Sequence, residues 1–240
     1  MSMDQSETLE LPTYKNDRVS KAETVYNYLK DGIIAGIWNP GDRINDKQIS
    51  EHLGVNRLSV REALSRLIQD NIVIQIPWKG YSIRKVTAEE VVAFVEVRNA
   101  LEQLALRDIF TKHSREDLAG ILKRMEEAIS KAKEFLASGA HAPYMEVDFS
   151  FHELLYEASG NPWIPKMIGD TRVFTNILRN ISMGEGDNQF HKAAIQSIED
   201  HRQIFKAIRD WNPDKAYALM EQHLMYRFAD NIVKNYKQAE

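Results

Sequence analysis

The apolar positions in the first third of the chain are spaced as in amphipathic helices. A first set, Val25, Leu29 and Ile33, recurs every four residues and is followed by the turn residues 39–41. Two later runs, IVIQI at 72–76 and YSIRKV at 81–86, are rich in β-branched residues and are separated by the turn sequence PWKG. These runs predict two antiparallel strands that follow the helices.

Between these segments, residues 48–67 have the pattern of a helix-turn-helix. The first short helix has an apolar stripe at Ile49 and Leu53, and it ends at Gly54 because glycine tolerates the positive φ of a helix terminus. Asn56 is then placed to cap a second helix, which has an aliphatic face of its own. Together with the strands, this pattern predicts a winged helix-turn-helix domain.

The polar face at the start of the second helix is rich in hydrogen-bond donors. It carries Asn56, Arg57, Ser59 and Arg61. Arginine can bond bidentately to guanine O6 and N7, and Asn and Ser can reach bases or phosphates, so this face suits the major groove of DNA. Such residues are also common on solvated surfaces, but the predicted wing favours a role in DNA recognition.

From Thr87 onward every periodic segment is helical. The predicted helices span residues 88–112, 114–137, 142–159, 162–183, 188–210 and 213–237. We therefore expect a mainly α protein, with a flexible N-terminal tail over residues 1–20, a winged helix-turn-helix domain over 21–86 and an all-α six-helix bundle over 87–240. The interior of such a bundle is a common place for ligands to bind.

Composition and charge fit a cytoplasmic two-domain protein of 240 residues. The absence of cysteine excludes disulfides, thiol catalysis and Cys-ligated zinc. No apolar run has the length of a membrane span, and the polar N-terminus does not resemble a signal peptide, so we expect no membrane association. Residues 21–86 contain ten Lys and Arg against seven Asp and Glu, although the whole chain has a net charge of −4. With so small an excess, specificity for DNA would depend on individual contacts.

Four polar residues of the second domain occupy helical segments that are otherwise apolar on one side. Asp148 and His152 are four residues apart and therefore share a helix face, while His201 and His223 lie in the last two predicted helices. One Asp and three His from three helices could form a metal site. A single buried histidine is more often a hydrogen-bonded core residue than a ligand. The metal-site interpretation therefore depends on the presence of all four residues together.

Several segments resemble one known family of regulators. Three of them resemble the winged-helix domain of GntR-type bacterial transcription regulators: IIAGIWNPGDRI at 33–44, LGVNRLSVREALSRL at 53–67 and PWKGYSI at 77–83. Four others resemble their FCD ligand-binding domain: EVRNALEQLAL at 96–106, DFSFHELLYEASGN at 148–161, EDHRQIFKAI at 199–208 and ALMEQHL at 218–224. Six bundle helices rather than seven resemble the VanR-like branch of the FadR-type subfamily.

The resemblance implies a divalent metal held by Asp148, His152, His201 and His223. Nitrogen and carboxylate ligands without sulfur suit zinc, which we prefer, and also nickel, manganese or iron. The resemblance also implies that Arg98 faces a small carboxylate effector through a guanidinium–carboxylate fork. The alternative for Arg98 is an ion pair with Glu102, four residues further along the same helix.

The resemblance likewise implies DNA contacts by Asn56, Arg57, Ser59 and Arg61, with Lys47 near phosphate and with Lys79 and Gly80 of the wing at the minor groove or the backbone. Leu58 departs from the small hydroxylated residue common at its position, and it could contact a thymine methyl group. We expect a homodimeric repressor that binds operator DNA and releases it when a small organic acid binds, with activation by the acid as the alternative.

Two functions of other classes remain as alternatives. An Asp/His₃ site could activate water in a metal-dependent enzyme, although no separate general base or nucleophile accompanies it. An architectural DNA-binding protein without a sensor is disfavoured by the weak basicity of the first domain and by the large second domain.

Overall fold

The structure, a computed structural model, describes residues 20–34, 36–169, 174, 175, 178 and 187–229. The chain divides between Lys85 and Val86 into two compact units. The predicted N-terminal tail, apart from Ser20, lies outside the described residues. So do parts of the predicted helices 162–183 and 213–237.

The first unit is a winged helix-turn-helix. Its elements are α1 Lys21–Ile34, β1 Arg43–Ile44, α2 Asp46–Leu53, α3 Arg57–Gln69, β2 Val73–Ile76 and β3 Gly80–Ile83. The three strands form an antiparallel sheet in the order β1-β3-β2, with Ile74 opposite Ser82. The sequence predicted β2 and β3, whereas the two-residue strand β1 is too short to have a periodic pattern.

Side-chain caps begin both helices of the helix-turn-helix. The Oδ1 atom of Asn45 accepts hydrogen bonds from the backbone N–H groups at the start of α2, and Asn56 does the same for Ser59 at the start of α3, at 2.8 Å. Gly54 ends α2 with φ of 63°. Helix α1 then packs against α3 and buries Leu29 and Leu64 completely. The turn between α2 and α3 is therefore set by local bonds and by one shared core.

The second unit is helical in its described residues. Its elements are α4 Ala88–Lys112, α5 Ala119–Ala137, α6 His141–Ser159, α7 Trp163–Gly169, α8 Asp187–Arg209 and α9 Pro213–Glu221, followed by a π-helical segment, Gln222–Phe228. The predicted start of α5 at residue 114 is wrong. Ser114 instead donates to the carboxylate of Asp117 at 2.8 Å and forms a turn that delays the helix.

The core of the second unit lies between α4, α5, α6, α8 and α9. Helix α6 packs against α4, α5 and α8, and α9 packs against α4 and α8. Tyr144, Phe151 and Leu155 of α6 are buried in this core. The helices of the described residues include none that combines the length and the apolar character needed to cross a membrane. The packing brings the inner faces of α6, α8 and the C-terminal helical segments together.

Candidate functional site

Three buried histidines meet in the second unit. His152 comes from α6, His201 from α8 and His223 from the π-helical segment. Among the described residues, these three form a group whose candidate ligand atoms all lie within 4.8 Å of one another. The Nε2 atoms of His152 and His201 are 3.1 Å apart. Two ring nitrogens this close can share one proton or one cation. The structure therefore brings together the three histidines that the sequence singled out.

A carboxylate lies beside Nδ1 of each histidine. The pairs are His152 with Glu102 at 2.8 Å, His223 with Asp200 at 3.2 Å and His201 with Asp148 at 3.4 Å. A carboxylate at one ring nitrogen favours the neutral tautomer that carries its proton there, because the N–H can then donate to it. The lone pair is left on Nε2, which is the arrangement of most metal-binding histidines. This donor set fits a divalent cation.

Asp148, the predicted fourth ligand, is buried beside this histidine cluster. Its Oδ1 atom accepts a hydrogen bond from the hydroxyl of Ser197 at 2.7 Å and one from Tyr144 at 3.3 Å. The same oxygen is the one that approaches Nδ1 of His201. The carboxylate of Asp148 is therefore held next to the cluster, with His201 between it and the ring of His152.

Glu102 is at the centre of a second buried network, which adjoins His152. Its Oε1 atom accepts hydrogen bonds from Arg98 Nε and from the Tyr156 hydroxyl, both at 2.8 Å, while its Oε2 atom is the one near His152. Burial alone would raise the pKa of Glu102, but His152 and Arg98 hold that pKa far below its usual value. Glu102 is therefore a carboxylate that links Arg98 to the histidine cluster.

Burial acts on His152 in the opposite direction. It lowers the pKa of His152 to about 4, although Glu102 favours the protonated ring. The imidazole is therefore neutral near pH 7, which is the form that binds metals. Glu102 and Asp200 were not predicted as part of this site. The only sequence signals for them were the spacing of Glu102 from Arg98 and the position of Asp200 directly before His201.

The predicted recognition helix α3 presents two arginines beside one acid. Arg57 and Arg61 are about half exposed, and both bond to Asp46, the first residue of α2. Leu58, between them in sequence, is 77% exposed. Asn56 and Ser59 bond to each other at 3.1 Å as well as forming the cap of α3. These α3 residues were predicted to share a polar face, whereas Asp46 was not predicted as their partner.

The wing and α2 hold the other predicted DNA contacts. Lys79 and Gly80 follow Trp78, a fully exposed residue at the turn between β2 and β3 whose φ is 63°. Gly80 itself has φ of 87°, which glycine adopts without strain. Lys47 is exposed and lies 3.8 Å from Glu51 of the same helix. These residues lie on the surface of the first unit, where DNA could reach them.

Comparison with known proteins finds one family match within each of the two units. Residues 21–83 match the family described as bacterial regulatory proteins, gntR family, and residues 93–225 match the FCD domain. The uncharacterized HTH-type transcriptional regulator YdhC of Bacillus subtilis is 28% identical over 204 residues, which are 85% of each chain.

Two solved structures share the fold. A putative transcriptional regulator GntR from Rhodococcus sp. RHA1 has a TM-score of 0.74 and 24% identity, with 89% of this chain and 98% of that chain covered. McbR/YncC of E. coli has a TM-score of 0.71 and 21% identity, with 92% of this chain and 100% of that chain covered.

Proposed function

Since the chain belongs to the GntR family of bacterial regulatory proteins and carries an FCD domain, we propose that this DNA-binding transcription regulator is a repressor controlled by a metabolite. Its relatives are transcriptional regulators and not enzymes, so the metal-dependent enzyme is set aside. Two copies would form a homodimer in the cytoplasm, and their recognition helices would bind a short palindromic operator.

The observation that carries this proposal is the buried histidine cluster with a carboxylate on each ring. His152, His201 and His223 would hold a divalent metal through Nε2. Asp148 would supply the fourth ligand only by turning toward the cluster, and it would then give up its place at Nδ1 of His201. Zinc is our preferred ion, and nickel, manganese and iron fit the same donors. When bound, such an ion supplies Lewis-acid attraction for a carboxylate oxygen of the effector.

Arg98 would recognise the effector from the neighbouring network. Its guanidinium donates to Glu102 in the structure, so the ion pair that was predicted as the alternative role of Arg98 is present. A small organic acid bound here would therefore either displace the carboxylate of Glu102 from Arg98 or bind to Arg98 together with it. Because Glu102 also contacts His152, a change at Arg98 would be transmitted to the histidine cluster.

The DNA surface would be formed by α3, the start of α2 and the wing. Arg57 and Arg61 would contact base edges, supported by Asn56 and Ser59, with Lys47 at phosphate and with Lys79 and Gly80 at the minor groove or the backbone. The effector changes DNA affinity only as far as it binds the two states of the dimer unequally. A complete switch from bound to free needs about 5.5 kcal/mol of such a difference.

The test compares two histidines of α8. His201→Ala removes a proposed ligand, whereas His191→Ala changes an exposed histidine of the same helix outside the cluster. Zinc-loaded proteins are mixed with an operator duplex enriched by the wild type from random sequences. The fluorescence anisotropy of the duplex is then followed with a panel of small carboxylates.

We expect at least one acid to weaken DNA binding by about tenfold in the wild type and in H191A, a coupling within the usual range. We expect H201A to bind the duplex without this response and to retain less zinc after dialysis. An H201A variant that retains zinc and responds like the wild type would contradict the metal-centred sensor.

A further inference from the structure

Asp46 joins the start of α2 to two turns of α3. Its two carboxylate oxygens accept hydrogen bonds from Nη2 of Arg57 at 2.8 and 2.9 Å, and Oδ2 also accepts from Nε of Arg61 at 3.0 Å. Arg57 and Arg61 are four residues apart, so they lie on one face of α3. One carboxylate therefore holds two arginines that a helix surface alone would leave to move independently.

The three side chains differ in exposure. The side chain of Asp46 is 13% exposed, whereas those of Arg57 and Arg61 are 51% and 55% exposed. Burial alone would raise the pKa of Asp46, but hydrogen bonds from the two arginines hold it below its usual value. The carboxylate is therefore ionised at neutral pH, and it is covered by the groups that it orients.

This arrangement has two consequences for binding DNA. A guanidinium has five N–H donors in one rigid plane, and Asp46 engages one nitrogen of each arginine. The contact with Asp46 therefore fixes the direction in which the other donors of each guanidinium point. Orientation before binding saves side-chain entropy when the correct base edge is met. The negative charge also offsets part of the attraction of the two arginines to any phosphate, which depends on charge and not on sequence.

We infer that Asp46 is a specificity-determining positioning residue, which holds Arg57 and Arg61 for base recognition and lowers their binding to DNA of unrelated sequence. The inference rests on the proposed function, since it requires that these arginines contact DNA. A purely structural role, as a brace between α2 and α3, would instead change stability without changing the preference of the protein for one sequence over another.

The test uses the full chain and two labelled duplexes of equal length and composition. One duplex is enriched by the wild-type protein from random sequences, and the other is its shuffled counterpart. Asp46→Asn removes the charge with little change in shape, and Asp46→Ala serves if that variant does not fold. Glu51→Gln is the matched control, because it removes one negative charge from the same helix and leaves the arginines held by Asp46. The partner of Glu51, Lys47, is a proposed phosphate contact, so its release changes binding to both duplexes alike.

We expect D46N to bind the shuffled duplex more tightly and to lose about fivefold or more of the affinity ratio between the two duplexes. We also expect the salt dependence for the shuffled duplex to steepen by about 0.9 in log–log slope, the value for one more phosphate contact. E51Q should keep the ratio of the wild type within about twofold, because the arginines remain fixed.

The outcomes separate the inference from the function on which it rests. A D46N ratio equal to that of E51Q, in a protein whose wild type discriminates between the duplexes, overturns the role of Asp46 alone. A wild type that binds both duplexes equally, or an Arg57→Ala variant that binds the enriched duplex as well as the wild type does, overturns the assignment of α3 to DNA recognition and the inference with it.

Discussion

At the scale of single residues, Glu102 connects the two halves of the proposed sensor. It is fully buried, and it accepts hydrogen bonds from Arg98 and Tyr156 while lying 2.8 Å from Nδ1 of His152. A neutral residue in its place would leave the guanidinium of Arg98 without its carboxylate and would no longer select the tautomer of His152. Such a substitution would therefore alter metal binding through His152.

We expect Glu102→Gln to lower the affinity for zinc by about 10- to 100-fold, the usual range when a group that orients a metal-binding histidine is lost. Competition with a chromogenic chelator measures this affinity. Glu157→Gln is the control, because Glu157 forms an exposed ion pair with Arg124 on the outside of the bundle. Equal zinc affinities of E102Q and E157Q would contradict the role of Glu102.

At the scale of secondary-structure elements, the turn between α2 and α3 depends on one backbone conformation. Gly54 ends α2 with φ of 63°, and a Cβ atom added there would meet no other atom within 4 Å. The cost of a side chain at this position is thus the left-handed backbone itself and not a clash. Gly120, near the start of α5, also has open space for a Cβ atom, but it lies in ordinary helical backbone.

We expect Gly54→Ala to destabilise the first unit by about 1–2 kcal/mol, the cost of a left-handed conformation for a residue with a Cβ atom. Gly120→Ala should instead leave the second unit unchanged or stabilise it by about 0.5–1 kcal/mol, because alanine favours helices over glycine. Urea unfolding followed by circular dichroism measures both. Loss of stability in G120A comparable to that in G54A would contradict this explanation.

The predicted elements are correct where a single local pattern decides the structure, and they are wrong where two local patterns compete. The caps at Asn56 and Gly54 and the bounds of α4 were predicted correctly, because local hydrogen bonds and periodicity determine them. The delayed start of α5 depends on a Ser114–Asp117 turn that competes with the helix, and the π-helical segment has no signal in the spacing of apolar residues.

The site was predicted only in part, because several of its contacts join residues that are distant in the chain. Helical spacing and the family resemblance selected the three histidines, and the structure brings them together. The bonds from Asp46 to the arginines and from Glu102 to His152 connect residues that are 11 to 50 positions apart. Such pairs require knowledge of how the helices pack, which no local pattern contains. The contacts with DNA and effector stay predictions.

At the scale of the whole molecule, each of the two units holds a different candidate site. The first unit holds the arginines of α3, and the second holds the histidine cluster. Each unit has its own buried core, so each can respond to a different ligand. A ligand stabilises only the unit whose folded form it binds.

We therefore expect zinc to raise the melting temperature of the second unit and to leave that of the first unchanged. A free zinc concentration about one hundred times Kd adds about 2.7 kcal/mol to the stability of the unit that binds it. Differential scanning calorimetry of chelator-treated and zinc-reloaded protein measures the shift. A shift of equal size in His201→Ala would place the bound zinc outside the histidine cluster.

The three histidines are also distant in the chain, which affects how the second unit can assemble. His152 is 49 residues before His201, and His201 is 22 residues before His223. Closing loops of this size costs conformational entropy before any contact compensates for it, so contacts between distant residues slow folding. A metal bound by all three would act as a cross-link between distant parts of the chain. Metal uptake would then report that the bundle has completed its tertiary structure, and a regulator that requires the metal to respond would be insensitive to its effector until that point.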